Sequence, residues 1–203
     1  MKLTFPRLQF EVFTSSFFKL KRDSYLKRGI GVQKAKRLFI AALFSSIIFV
    51  INLLVPPPIS YLLIVVQAVI LALANLFLGK AGSTYVGLIG GFLSALSRPA
   101  FGPFTFIFTF LFGLLVDAFF LAFKVTSTTK IVNQTRVILA MTFSTAIIGF
   151  LSYYTTTVYL QLVSLDIMMS GLIIFVAASS GISAGYAAAY LWNKYLKNIS
   201  LAS

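Results

Sequence analysis

The chain contains neither cysteine nor histidine among its 203 residues. This excludes disulfides, thiolate nucleophiles, zinc or haem ligation by these side chains, and acid–base chemistry by imidazole. Charged residues are also scarce, at 10% of the chain, whereas soluble domains carry about 25%. No phosphate-binding loop and no nucleophile–base motif occurs, so the sequence predicts no nucleotide hydrolysis, no other enzymatic activity and no cofactor.

Apolar residues take the place of the missing polar ones. They make up 59% of the chain, and the mean hydropathy is +0.97. A soluble protein of this size could not bury so many apolar side chains and still cover its surface with charge. The net charge of +13 does not indicate nucleic-acid binding, because the basic residues flank apolar runs instead of lining one face of a soluble domain. The sequence therefore predicts an all-α integral membrane protein.

Residues 1–37 are expected to form a basic cytoplasmic arm, with ten Lys and Arg residues against Glu11 and Asp23. The arm lacks the apolar core and cleavage site of a signal peptide. Four apolar residues recur in it at helical spacing beside lysines: Phe10, Phe13, Phe17 and Leu20. This pattern suits an amphipathic helix on an anionic lipid leaflet. A disordered arm and a partner-docking segment are the alternatives.

Six apolar runs follow the arm, and a spanning helix needs about 20 residues. We expect a compact bundle of six transmembrane helices within residues 38–193 and a cytoplasmic tail at 194–203. The predicted spans are 38–55, 61–78, 82–97, 103–123, 137–158 and 167–192. The third run is short. In a five-helix alternative it is either fused with a neighbouring span or does not form a span of its own.

Lysine and arginine set the expected orientation, because basic residues are retained on the cytoplasmic side. With both termini inside, sixteen of the 17 basic residues lie on the inner side, and only Arg98 lies on the outer side. Tyrosines near the ends of the last two spans fit aromatic belts at both interfaces. The sequence therefore predicts a multi-pass protein of the cell membrane with cytoplasmic N- and C-termini.

Small residues recur at every fourth position in three spans. The third span has Ser83, Gly87, Gly91 and Ala95, and the sixth has Ala177, Gly181, Gly185 and Ala189. The first span opens with two overlapping pairs, Ala41 with Ser45 and Ala42 with Ser46. Such seams serve either packing inside one bundle or docking to another subunit. The sixth span is the better docking candidate, because Ala184, Ala187 and Ala188 widen its small face.

Asp117 is the only ionisable residue deep within a predicted span. Counting from Pro103 at about 1.5 Å per residue puts it about 20 Å into a core about 30 Å thick, nearer the cytoplasm. A carboxylate at such depth suggests a function. The alternative is a structural carboxylate satisfied by an inner lysine or by Ser and Thr hydroxyls. A proton relay is not indicated, because there is no second intramembrane acid.

Polar and aromatic residues gather at the predicted outer end and form a candidate binding site. They are Asn52, Arg98, Phe101, Tyr153, Tyr154, Gln161 and Asp166. Arg98 beside Phe101 suits an anionic group on a flat molecule. A snorkelling arginine in a salt bridge with Asp166 is the alternative.

Three glycine-containing stretches carry a resemblance to a known family: LGKAG at 78–82, GLIGG at 87–91 and PAFGP at 99–103. Together with six spans and both ends inside, they resemble the substrate-binding S components of energy-coupling factor (ECF) transporters. The resemblance covers residues 38–193.

The resemblance implies a non-enzymatic subunit that binds a vitamin-like small molecule from outside. It would topple when a transmembrane coupling protein and two ATPase subunits drive release inward. Ala41, Ala42, Ser45 and Ser46 match the family's docking seam, with Ser in place of the second Ala. The outer polar residues match the family's pocket region. Absence of histidine disfavours the cobalt and nickel members, and the long basic arm departs from the family. The competing hypothesis is a structural or assembly subunit of a larger membrane complex.

Overall fold

The computed structural model describes residues 35–53, 63–97, 102–125, 131–159 and 167–196. The chain divides into two compact units, Met1–Phe39 and Ile40–Ser203. Of the first unit only residues 35–39 are described, as the start of a helix. The predicted amphipathic segment, with Phe10, Phe13, Phe17 and Leu20, lies outside the described residues.

Six helices follow one another along the described chain, and no strand occurs within these ranges. They are α1 (Ala35–Leu53), α2 (Leu63–Leu78), α3 (Gly82–Ser97), α4 (Gly102–Ala122), α5 (Gln134–Tyr154) and α6 (Ile167–Leu191). Helices α5 and α6 each continue into a π-helical turn, Thr155–Tyr159 and Trp192–Leu196 respectively. The predicted all-α bundle is confirmed.

Four of the helices are long and apolar enough to cross a membrane: α1, α4, α5 with its π turn, and α6 with its π turn. Helices α2 and α3 have 16 residues each, about 24 Å of helix against a hydrocarbon core of about 30 Å. By length and composition, the protein is a membrane protein. Crossing by all six helices stays a prediction.

The turn between α2 and α3 keeps these two helices separate. Gly79 and Ala81 have φ angles of 74° and 67°, in the left-handed region that cannot continue a right-handed helix. The backbone N–H of Gly79 donates to the Asn75 carbonyl and that of Gly82 to the Gly79 carbonyl. The fused version of the five-helix alternative is therefore wrong, because the chain reverses here within three residues.

The small-residue seams of α3 and α6 are used inside the bundle. A Cβ atom on Gly87 would lie 2.7 Å from the Thr109 carbonyl oxygen of α4, and one on Gly185 would lie 2.7 Å from the Ile138 Cα of α5. No real Cβ approaches backbone atoms so closely, so α3–α4 and α5–α6 pack at distances that only glycine permits. Of the widened face of α6, Ala184 and Ala188 are fully buried. Packing within one bundle, not docking to a subunit, accounts for both seams.

Helix α2 lies in the middle of the bundle and contacts α3, α4, α5 and α6. Small and large apolar residues alternate irregularly on it, and Ala68, Leu71, Ala72 and Ala74 have no exposed surface. At its end, Phe77 meets Trp192 of the last π turn edge to face, with ring centroids 5.0 Å apart. This aromatic contact closes the end of the core where α2 and the last π turn meet.

Candidate functional site

Four exposed basic residues mark one end of the bundle, which we call the basic end: Lys80, Lys124, Arg136 and Lys194. They lie in the α2–α3 turn, after α4, in the first turn of α5 and in the last π turn. Contacts hold these segments together. The Asn193 side chain accepts a hydrogen bond from the Val132 N–H at 2.9 Å and donates to the Val132 carbonyl at 3.0 Å. These two hydrogen bonds tie the segment before α5 to the last π turn.

Asp117 lies just inside the basic end and joins three helices. The backbone N–H groups of Ser83 and Thr84 donate to its two carboxylate oxygens at 3.1 and 2.7 Å. The Thr84 hydroxyl and the Asn75 amide donate to the same two oxygens, one to each. Each oxygen thus accepts two hydrogen bonds, the pattern of an ionised, acceptor-only carboxylate.

The two backbone donors belong to the first turn of α3, whose N–H groups have no partner within the helix. Asp117 therefore caps α3 from the neighbouring helix α4, and its charge faces the positive end of the α3 dipole. This arrangement favours the structural alternative for Asp117. Its described partners are amide and hydroxyl donors, not a lysine.

Sequence reasoning missed Asn75 and Thr84 as partners of Asp117. Asn75 offered a signal, because it is 8% exposed and one of only two polar residues in the otherwise apolar α2. A buried amide in such a helix must find a hydrogen-bond partner. The position of Asn75 in the sequence does not show which helix supplies that partner.

At the opposite end, the predicted binding residues that are described do not form one cluster. Asn52 donates through its side-chain amide to the Ser94 hydroxyl at 3.2 Å and so ties α1 to α3. Tyr153 is buried, at 9% exposed, whereas Tyr154 is 46% exposed and stacks on Phe150. Consecutive helical residues point about 100° apart, so Tyr153 faces the bundle and Tyr154 its surroundings.

The π turn after Tyr154 carries three consecutive threonines, Thr155–Thr157. Their hydroxyls each donate to the carbonyl four residues earlier. The remaining predicted binding residues, Arg98, Phe101, Gln161 and Asp166, lie outside the described residues, as does the alternative salt bridge between Arg98 and Asp166.

The predicted docking seam of α1 divides into a buried pair and an exposed pair, about 100° apart around the helix. Ala41 and Ser45 are buried, and the Ser45 hydroxyl donates to the Val86 carbonyl of α3 at 3.2 Å. Ala42 and Ser46 are exposed, and the Ser46 hydroxyl donates back to the Ala42 carbonyl at 2.8 Å. Only the Ala42–Ser46 pair is open to a partner, because the bundle already uses the other pair.

The fold and these contacts define a class: an all-α membrane bundle with one capped internal carboxylate and differently built ends. Within the described residues, no group of three or more acidic, histidine or cysteine side chains could hold a metal ion. No protein-family model, no curated protein and no solved structure matches the chain.

Proposed function

We propose that the chain is the substrate-capture subunit of an ECF-type ATP-driven importer for a vitamin-like small organic molecule. In this proposal all six helices lie in the cell membrane, both termini are cytoplasmic and the basic end faces the cytoplasm. A transmembrane coupling protein and two ATPase subunits supply the energy, and the basic arm meets anionic lipid. The chain itself performs no chemistry.

The exposed Ala42–Ser46 pair carries the proposal. A lipid-facing helix gains nothing from small side chains, because lipid tails pack equally well on leucine. A partner helix does gain, since small residues let the two backbones approach closely. The Ser45–Val86 bond fixes the rotation of α1, so this pair points away from the bundle.

The opposite end supports a capture site by its composition. Hydroxyl and amide groups of α1, α3 and α5 lie there, among them Asn52, Ser94 and Thr157. The threonines occupy a π turn, a local feature that often occurs at functional sites. A vitamin-like ligand needs a few such polar groups within an apolar surround. That these groups lie at the end away from the lysines supports a site there.

Native mass spectrometry of the detergent-purified protein tests the proposal. The expected result is a bound small organic molecule, together with co-purified ATPase and coupling subunits. Repeated absence of both ligand and ATPases, over several growth conditions, would contradict it. Recovery with respiratory or secretory subunits would instead support the assembly-subunit hypothesis.

The substitution Ala42→Leu tests the docking role separately. A bulky side chain should keep a partner helix away, so uptake should be lost while the bound ligand remains. The matched control is Ala122→Leu, which makes the same replacement at an exposed alanine at the end of α4 and should leave uptake unchanged. If Ala42→Leu retains uptake, or if it loses ligand and keeps its partners, this seam is not the docking surface.

A further inference from the structure

The end of α6 and the π turn that follows it carry an exposed aromatic and cationic cluster that the proposed function does not use. Its members are Tyr186, Tyr190, Lys194 and Tyr195, and we call it the tyrosine–lysine cluster. Tyr186 and Tyr190 stack with centroids 6.3 Å apart. The Lys194 ammonium donates to the Tyr190 hydroxyl at 2.7 Å and lies 5.1 and 5.3 Å from the ring centroids of Tyr190 and Tyr195.

One hydroxyl and two rings therefore restrict where the exposed Lys194 ammonium lies. Such ordering lowers the entropy lost when an anion binds, because the side chain is already placed. The Tyr190 hydroxyl adds an oxygen that can donate to the same anion. The cluster thus presents a preorganised point charge beside a hydroxyl donor, which suits a phosphate oxygen.

The charge around the cluster is not neutralised by the described protein. The basic end also exposes Lys80, Lys124 and Arg136. The one acidic side chain within the described ranges, Asp117, is saturated by four donors inside the bundle. An anionic partner would therefore neutralise the positive charge of this end.

The surface leading to the cluster is mostly apolar and is long enough for a lipid chain. Exposed residues recur on one face of α6 at three- and four-residue spacing: Phe175, Ser179, Ile182, Tyr186 and Tyr190. From Lys194 to Phe175 this face is about 28 Å long, which exceeds the half-thickness of about 15 Å of a hydrocarbon core. A headgroup at Lys194 would place its acyl chain along this face.

We propose that the tyrosine–lysine cluster binds the phosphate of an anionic phospholipid whose acyl chain lies along the exposed face of α6. The proposal goes beyond the proposed function and does not depend on it. A basic surface alone would attract an anionic leaflet without selecting a site. The lysine restricted by two tyrosine rings and one hydroxyl predicts one localised binding site instead.

Native mass spectrometry of the full chain, released from nanodiscs of equimolar phosphatidylglycerol and phosphatidylcholine, tests this site. Wild type should retain phosphatidylglycerol in preference to phosphatidylcholine. Lys194→Gln should lower that retention by more than the factor of about five expected for removing any one basic residue at an anionic surface. Tyr190→Phe, which removes only the hydroxyl, should also lower it.

The matched control is Lys80→Gln, which removes another exposed lysine of the same end and should lower retention by no more than about fivefold. An equal loss for Lys80→Gln and Lys194→Gln would overturn the site, since retention would then follow net charge. Equal retention of the two lipids by wild type would also overturn it. Displacement of the lipid by excess inorganic phosphate would assign the cluster to a free anion instead.

Discussion

The substitution Asp117→Asn is expected to destabilise the bundle strongly, because four donors converge on this carboxylate. An asparagine keeps one acceptor oxygen, which can serve Asn75 and the Ser83 N–H. Its amide then faces the Thr84 N–H, so two donors oppose each other and a partly buried backbone group loses its partner. The Thr84 hydroxyl can rotate and accept.

The magnitude follows from these contacts. One orphaned N–H costs about 1–3 kcal/mol, and two hydrogen bonds lose their charge assistance at about 1 kcal/mol each. The expected loss is about 2–4 kcal/mol, since the site is only partly buried. For a chain of this length, that corresponds to a fall in melting temperature of roughly 5–15 °C.

Thermal unfolding in detergent, followed by the emission of the single tryptophan, measures this loss. Trp192 is 1% exposed and packs on Phe77 at the same end of the bundle, so its emission reports this region. Ser179→Ala is the control, because the exposed Ser179 hydroxyl contacts only the Phe175 carbonyl of its own helix. A change below about 1 °C for Asp117→Asn would refute the capping role. If Asp117→Asn keeps its stability but loses uptake, Asp117 acts in transport and not as a structural cap.

Three further substitutions test the packing. Ala81→Gly should raise the stability by about 0.5–1 kcal/mol, because alanine at φ 67° is strained and glycine is not; chemical denaturation measures it. Gly181→Leu should destabilise the folded protein by about 3 kcal/mol, because a side chain there would collide with α5. The control Gly171→Leu has open space around it and should have little effect on the melting temperature. Asn193→Ala should cost about 1–3 kcal/mol, because both backbone groups of Val132 lose a partner, and should red-shift the emission of the adjacent tryptophan.

The helices were largely predictable from the sequence, because each apolar run is bounded by proline, glycine or charge. The largest differences are at the ends. Helix α5 begins at Gln134, before the predicted 137, since Arg136 is compatible with a helix outside the hydrocarbon core. The last π turn continues to Leu196, past the predicted tail boundary at 194, because Trp192 and Asn193 are held by contacts to other helices.

The contacts of the candidate sites were less predictable, since they depend on which helices are neighbours. Asp117 stands 42 residues from Asn75, and no local pattern connects the two. The α1 seam shows the same limit. Its two small pairs are offset by one residue, about 100° around the helix, and they are chemically equivalent. Only the position of α3 decides which pair is buried.

The two ends of the bundle follow from one physical constraint, the cost of unpaired polar groups in lipid. At the basic end, Asp117 and Asn193 bind backbone groups that would otherwise lack partners, so the helix termini there are locked together. At the opposite end, the threonine hydroxyls of the π turn donate to their own helix and lock nothing to a neighbour. Opening the bundle at the basic end must therefore break several hydrogen bonds between segments. Separating α5 from its neighbours at the opposite end breaks none of the threonine bonds. The two ends therefore meet the same constraint differently, because the basic end pairs polar groups across segments and the π turn pairs its hydroxyls within one helix.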